Sequence, residues 1–166
     1  WSKLVAREFL ERGPVAAVIP YDPIRDTVVL IEQFRPGPMA ANHPSPSMIE
    51  IVAGILEKNE SPNEMAFRET TEETGGSLSE VVPVCNFIVA PCSSTEYCHL
   101  LCGRIDSEGM GGIHGHIDEG EDIRVFVGSA EKAFTRSANG EIDSSFSIIV
   151  LRWLMLNRDD LRRRWT

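Results

Sequence analysis

The chain has 166 residues, 42% of them hydrophobic and 25% charged, with a formal net charge of −9. That length predicts one domain with a proper core and is too short for two, and no apolar run reaches the length of a membrane-spanning helix. The acid excess argues against a broad nucleic-acid surface, which needs a basic footprint; an anionic small molecule bound here requires local arginines, a helix N-terminus or metal ions.

The opening "WSKLVAREFLERG" is too polar for the apolar centre of a secretion signal. "AAVIP" (16–20) and "TVVLIEQF" (27–34) are rich in β-branched residues and predict two strands, with Asp22-Pro23 and Asp26 at the reversal. "PGPMAANHPSPS" (36–47) holds four prolines in twelve residues and predicts a loop. "MIEIVAGIL" (48–56) predicts a strand ending at Gly54. "VVPVCNFIVA" (81–90) and "EYCHLLCGRI" (96–105) predict two more. "SEGMGGIHGHIDEGED" (107–122) predicts a long loop, and loops of that length in a small domain are usually functional or disordered. "IRVFVG" (123–128) predicts a strand. Two helices follow: "AEKAFTRSAN" (130–139), capped by Ser129 and ended by Gly140, and a helix after Asp143 as cap. In the second, Phe146, Ile149, Val150, Trp153 and Leu154 recur at helical spacing, which marks a core face; its terminal arginines suit a solvated helix C-terminus. Cys85, Cys92, Cys98 and Cys102 have no C-x-x-C spacing, so reduced, mostly buried thiols in a cytoplasmic protein are expected.

The most informative stretch is "GILEKNESPNEMAFRETTEETGG", residues 54–76. Ser61 is a good N-cap, Pro62 suits the first helical position, and Glu64 completes a capping box; Gly75 suits the end. Met65, Ala66 and Phe67 supply apolar surface. At about 100° per residue, Glu72 and Glu73 fall about 60° and about 40° to either side of Glu69. Three carboxylates therefore share one face. Like charges at this spacing cost a few tenths of a kcal/mol per pair in water and far more when partly buried. A solvated acidic face is the ordinary alternative; a hard divalent cation, which wants converging oxygen ligands, removes the conflict.

Gly54, five residues, Glu60, seven residues, then Arg68-Glu69-Thr70-Thr71-Glu72-Glu73-Thr74-Gly75 resembles the Nudix box, a loop–helix–loop site for metal and pyrophosphate. The one departure is Gly76, where an apolar residue is usual; a packing effect is expected there. The resemblance extends over nearly the whole chain. "RGPVAAVIPYDPIRDTVVLIEQFR" followed by "EIVAG", and "GGIHGHIDEGEDIRVFVGSAEKAF" followed by "GEIDSS", are similar to the ADP-ribose pyrophosphatase subfamily of the Nudix superfamily. Pro91 stands where that subfamily has a proline, whereas Val52 stands where many relatives have proline and "PCSSTE" replaces a more glycine-rich turn.

The resemblance implies an α/β fold, an α/β/α sandwich with a mixed β-sheet, over residues 1–166 as a single domain. It implies hydrolysis of ADP-ribose to AMP and ribose 5-phosphate with Mg²⁺, or Mn²⁺ as a substitute. Glu69, Glu73 and the Ala53 carbonyl would coordinate the metal, and Glu72 would be a further ligand or an outer partner of the ligands. Arg68 would pair with Glu60 and hold the helix carboxylates, unless it is an ordinary surface ion pair. Glu119 is expected as general base and Glu121 as an additional metal ligand, while His114 and His116 are read as loop residues. Arg7 and Arg35 match positions that contact the substrate's phosphates or adenine, and Glu50 and Glu96 are weaker candidates for positioning substrate or supporting the metals. A nucleotide substrate is implied, with no nucleic-acid or membrane partner. A homodimer is also implied, with an N-terminal β-region, expected to precede Trp1, exchanged between subunits. Two rival readings remain open: another nucleoside diphosphate derivative (a sugar nucleotide, a dinucleoside polyphosphate or NADH) as substrate, or a module that senses ADP-ribose without turning it over.

Overall fold

The computed structural model describes residues 1–115, 120 and 122–166. The β-branched runs form strands β1 (Pro14–Asp22) and β2 (Thr27–Phe34), joined through a turn in which Asp26 takes φ 58°. The proline-rich segment is not wholly loop: Pro36 starts a five-residue helix, α1 (Pro36–Ala40), since proline's fixed φ suits a first helical turn. Beyond it come β3 (Ser47–Glu50), β4 (Val52–Ile55), α2 (Pro62–Thr74), β5 (Glu80–Ile88) and β6 (Tyr97–Arg104). The glycine-rich stretch contributes a short strand, β7 (Gly112–His114), followed by β8 (Ile123–Ser129), α3 (Ala130–Ala138) and α4 (Ser145–Trp165).

The strands form one mixed sheet in the order β5-β6-β1-β2-β8-β7, with β3 added to β2 and β4 added to β1. Only β1 and β6 run parallel among these pairs. The run 48–56 is therefore not one strand. It changes partner at Ile51: Glu50 stands opposite Ile31 of β2, while Ala53 stands opposite Ala17 of β1. This step leaves Glu50 on β3 beside β2 and puts Ala53 on β4, the strand that packs against α2.

Alternation along β1 divides the core between the sheet's two faces. Ala17, Ile19 and Tyr21 pack with Ala133, Phe134, Val150 and Leu154 of α3 and α4. Ala16 and Val18 pack with Met65 and Ala66 of α2. This is the expected sandwich. Phe67 is the exception on α2, turned outward and exposed. On α4 the helical stripe behaves as expected: Val150 and Leu154 are fully buried, with Phe146, Ile149 and Trp153 packed at the margin. Asp143 does not cap this helix; Ser144 is the N-cap, and the Asp143 carboxylate accepts from His43 Nε2 at 2.8 Å. The tail arginines are partly tied down, with Arg158 paired to Asp26 and Arg164 to Glu80. Of the thiols, Cys98 and Cys102 are buried while Cys85 and Cys92 are exposed. Among the described residues, no helix is long and apolar enough to cross a membrane.

Candidate active site

Helix α2 forms where the sequence places it because both ends are fixed locally. Ser61 accepts from the Glu64 amide, and the Glu64 carboxylate accepts from the Ser61 amide at 2.8 Å, a complete capping box. Gly75 ends the helix in the left-handed region at φ 67°. Gly76 follows because a Cβ there would stand 2.5 Å from Met110 Cε and 2.8 Å from Ile105 Cδ1. Those two side chains reach in from elsewhere and fill the space an apolar residue at 76 would occupy.

The helix carries Glu69, Glu72 and Glu73 on one face, at side-chain exposures that fall inward: 35% for Glu72 and 15% for Glu69, while residue Glu73 retains 6%. Arg68 organises the outer part of this cluster. Its Nε and Nη2 donate to the two Glu60 carboxylate oxygens at 2.8 and 3.0 Å, and its Nη1 donates to Glu69 at 2.8 Å and Glu72 at 3.0 Å. The fork engages the carboxylate bidentately, as guanidinium geometry favours. Hydrogen bonding to Arg68 holds the Glu60 carboxyl below its usual range, and the same bonds raise the pKa of Arg68. Part of the charge conflict on this face is thus relieved within the chain. Among the described residues, three carboxylates, Glu60, Glu69 and Glu72, gather around one guanidinium.

Arg68, Glu69, Glu72 and Glu73 line a cavity of about 390 Å³ together with Ala53, Gly54 and Ile55 of β4 and with Gln33, Arg35 and Glu57. Among the described residues, strand β4 pairs with β1 alone, so one of its edges has no neighbouring strand. Gly54 is a spatial requirement here. A Cβ at 54 would overlap the Glu69 carboxylate and stand 2.8 Å from its Cγ. The donors are all oxygens, carboxylates and a strand-edge carbonyl, packed against a glycine that lets a carboxylate approach the backbone. Such a set fits a hard divalent cation. No group of three His, Cys, Asp or Glu residues stands close enough to form a metal cluster among the described residues; Glu69 and Glu72 are paired with Arg68.

A second cavity, of about 670 Å³, shares Arg35, Ala53, Gly54 and Ile55 with the first. Arg35 donates through Nε to Glu50 at 2.7 Å, and Arg12 pairs with Glu96 at 3.0 Å; all four side chains line this cavity. The structure thus brings Arg35, Glu50, Glu96, Ala53 and the helix glutamates together. Arg7 is apart from them: it lies in an exposed stretch and, among the described residues, donates only to the neighbouring Ala6 carbonyl. Glu119, Glu121 and His116 lie outside the described residues. His114, on β7, donates through Nε2 to the Gly111 carbonyl at 3.1 Å and packs near Gly75.

Two lining residues escaped the sequence reading. Gln33 is two positions before Arg35, so strand period alone places them on one face; its Nε2 is buried without a hydrogen-bond partner among the described residues. Arg12 had no local signal. It reaches the site because Thr95 accepts from the Arg12 amide at 3.0 Å, a contact across 83 positions.

Residues 11–127 match the family described as NUDIX domain. The ADP-ribose pyrophosphatase of Escherichia coli (strain K12) is 42% identical over 166 residues, covering 99% of this chain and 78% of that protein. That of Haemophilus influenzae (strain ATCC 51907 / DSM 11121 / KW20 / Rd) is 40% identical over 168 residues, covering 99% and 76%. More distant is the GDP-mannose pyrophosphatase of Enterobacter sp. (strain 638), 29% identical over 151 residues, covering 91% and 78%.

Proposed function

The chain belongs to the NUDIX family, and from that premise we propose that it hydrolyses the pyrophosphate bond of ADP-ribose, giving AMP and ribose 5-phosphate. The observation that carries this reading is the row Glu69, Glu72 and Glu73 facing Ala53 and Gly54 across one cavity. A divalent cation, here taken as Mg²⁺ with Mn²⁺ as substitute, neutralises phosphate charge and polarises the bond under attack when bound. Glu69, Glu73 and the Ala53 carbonyl hold it; Glu72 joins them or steadies them. Arg68, anchored on Glu60, holds Glu69 and Glu72 in place. Arg35, oriented by Glu50, offers its free donors to the phosphates, and the larger cavity beside it accommodates the rest of the nucleotide.

Glu119 is assigned as general base and Glu121 as a further ligand, on sequence grounds. Glu119 takes a proton from water as the water oxygen bonds to one phosphorus; the bridging P–O bond breaks and its oxygen leaves on the other phosphate. We further assign a homodimer working in the cytoplasm. Trp1, Leu4, Val5 and Phe9 are all exposed, and Arg7 lies apart from the site of its own chain. A second copy accounts for both, covering the apolar residues and receiving Arg7. Sedimentation showing monomer alone would contradict this.

The more distant GDP-mannose relatives favour a second reading, a sugar nucleotide as substrate. The test is chromatography of products from ADP-ribose and from GDP-mannose, with and without Mg²⁺. AMP formed only with metal is expected; faster release of GMP would move the assignment to sugar nucleotides. No product, with ADP-ribose bound tightly, would identify a sensing module.

A further inference from the structure

The segment after β2 closes on itself, the Arg35 amide donating to the Pro46 carbonyl at 2.8 Å. Within it, His43 reaches outward to the start of α4. Its Nε2 lies 2.8 Å from Asp143 Oδ2 and its Nδ1 2.7 Å from the Ser45 carbonyl. The Ser45 amide also donates to Nδ1 at 3.2 Å, so the neutral ring protonated on Nε2 has a partner at each nitrogen and keeps the Asp143 bond. Imidazolium instead donates to both the Asp143 carboxylate and the Ser45 carbonyl, and turns the Asp143 contact into an ion pair. Among the described residues, Asp143 is the charged group facing the ring.

The two sides joined by this contact are two walls of one cavity. Pro36, Gly37 and Pro38 come from the segment that contains His43, and Ser144, Ser145 and Phe146 follow Asp143 directly. We propose that His43 and Asp143 are positioning residues that, with His43 protonated, clasp the 35–46 segment to the head of α4 and so set the affinity of the larger cavity for substrate. The inference rests on the proposed function, in which that cavity takes the nucleotide. Neither residue touches the carboxylates of α2 in any described contact, so the clasp acts on binding and not on the chemical step. The Ser45 carbonyl, followed by Asp143, raises the His43 pKa against the opposing effect of burial, which keeps the cationic form populated above the ordinary histidine range.

The test compares KM and kcat for ADP-ribose across pH 6 to 9 in the wild type, His43→Ala and Asp143→Asn, alongside NMR titration of the His43 ring. Both variants are expected to raise KM at the acidic end by roughly two- to fivefold, the range of a half-exposed ion pair, with kcat retained. Wild-type KM should climb toward the variant values as His43 deprotonates, and the His43 titration should move down in Asp143→Asn. Variant KM values that track the wild type at every pH would overturn the clasp, as would a His43 titration indifferent to Asp143→Asn. Absence of ADP-ribose turnover in the wild type would instead overturn the functional reading beneath it, so the two failures are distinguishable.

Discussion

Replacing Gly54 by alanine tests the site without touching a charged residue. Gly54 is extended and opposite Ala16 in the sheet, so the strand backbone accepts alanine without strain. The added Cβ would overlap the Glu69 carboxylate, and clearing it to the 3.4 Å of ordinary contact swings that carboxylate away from β4. A displacement of about 1 Å in a group that positions reactants can cost about a hundredfold in rate. Gly54→Ala is therefore expected to lower kcat for ADP-ribose roughly a hundredfold, with a thermal midpoint close to the wild type, because alanine is no worse than glycine in a strand. A double-mutant cycle isolates the cause. With Glu69→Ala already present the clash has no partner, so adding Gly54→Ala should change kcat by less than about twofold. Full activity in Gly54→Ala, or an equal loss in both backgrounds, would refute the reasoning that Gly54 exists to admit Glu69.

Glu73→Gln should lower turnover by more than about a hundredfold in a metal-saturated assay with the circular dichroism spectrum retained; near wild-type turnover would remove Glu73 from the ligand set. Chelation of divalent ions should abolish ADP-ribose hydrolysis and added Mg²⁺ should restore it, read by AMP release. Asp22 supplies a pH prediction distant from the site. Burial acts to raise its pKa, but donors from Ser107 and Arg25 outweigh it and hold the carboxyl at about 2, against an ordinary 3.8. A folded-state pKa below the unfolded one means stabilisation that is complete above the unfolded value and lost as pH falls toward 2. Asp22→Asn should thus cost roughly 2 kcal/mol at neutral pH, with the difference in unfolding free energy shrinking between pH 4 and pH 2. In the native protein, a thiol reagent should modify Cys85 and Cys92 quickly and spare Cys98 and Cys102 until unfolding, since burial pushes the Cys98 thiol up to about 12 and raises Cys102 as well.

What the sequence determined by itself was whatever a few neighbouring residues can fix. The Ser61–Glu64 capping box, Gly75 at a left-handed terminus and the Arg68–Glu60 pair are all local, at separations of three to eight positions, so a linear reading reaches them. The shared face of Glu69, Glu72 and Glu73 follows from helix period alone. The strand at 48–56 was legible as strand, but its break at Ile51 was not. Nothing between Met48 and Leu56 marks it, because the break reflects two different neighbours, β2 and β1, competing for one run of chain. The Arg12–Glu96 pair and the His43–Asp143 contact span 84 and 100 positions and exist only once the sheet has gathered its strands. The same holds for Asp143, which in sequence is a good helix cap and in the fold finds His43 instead. A half-buried carboxylate gains a charge-assisted partner there, stronger than a neutral amide donor, and the helix gives up its side-chain cap. The sequence therefore specified the carboxylate helix and its ends, while tertiary packing decided which backbone, which arginines and which cavity walls stand opposite it.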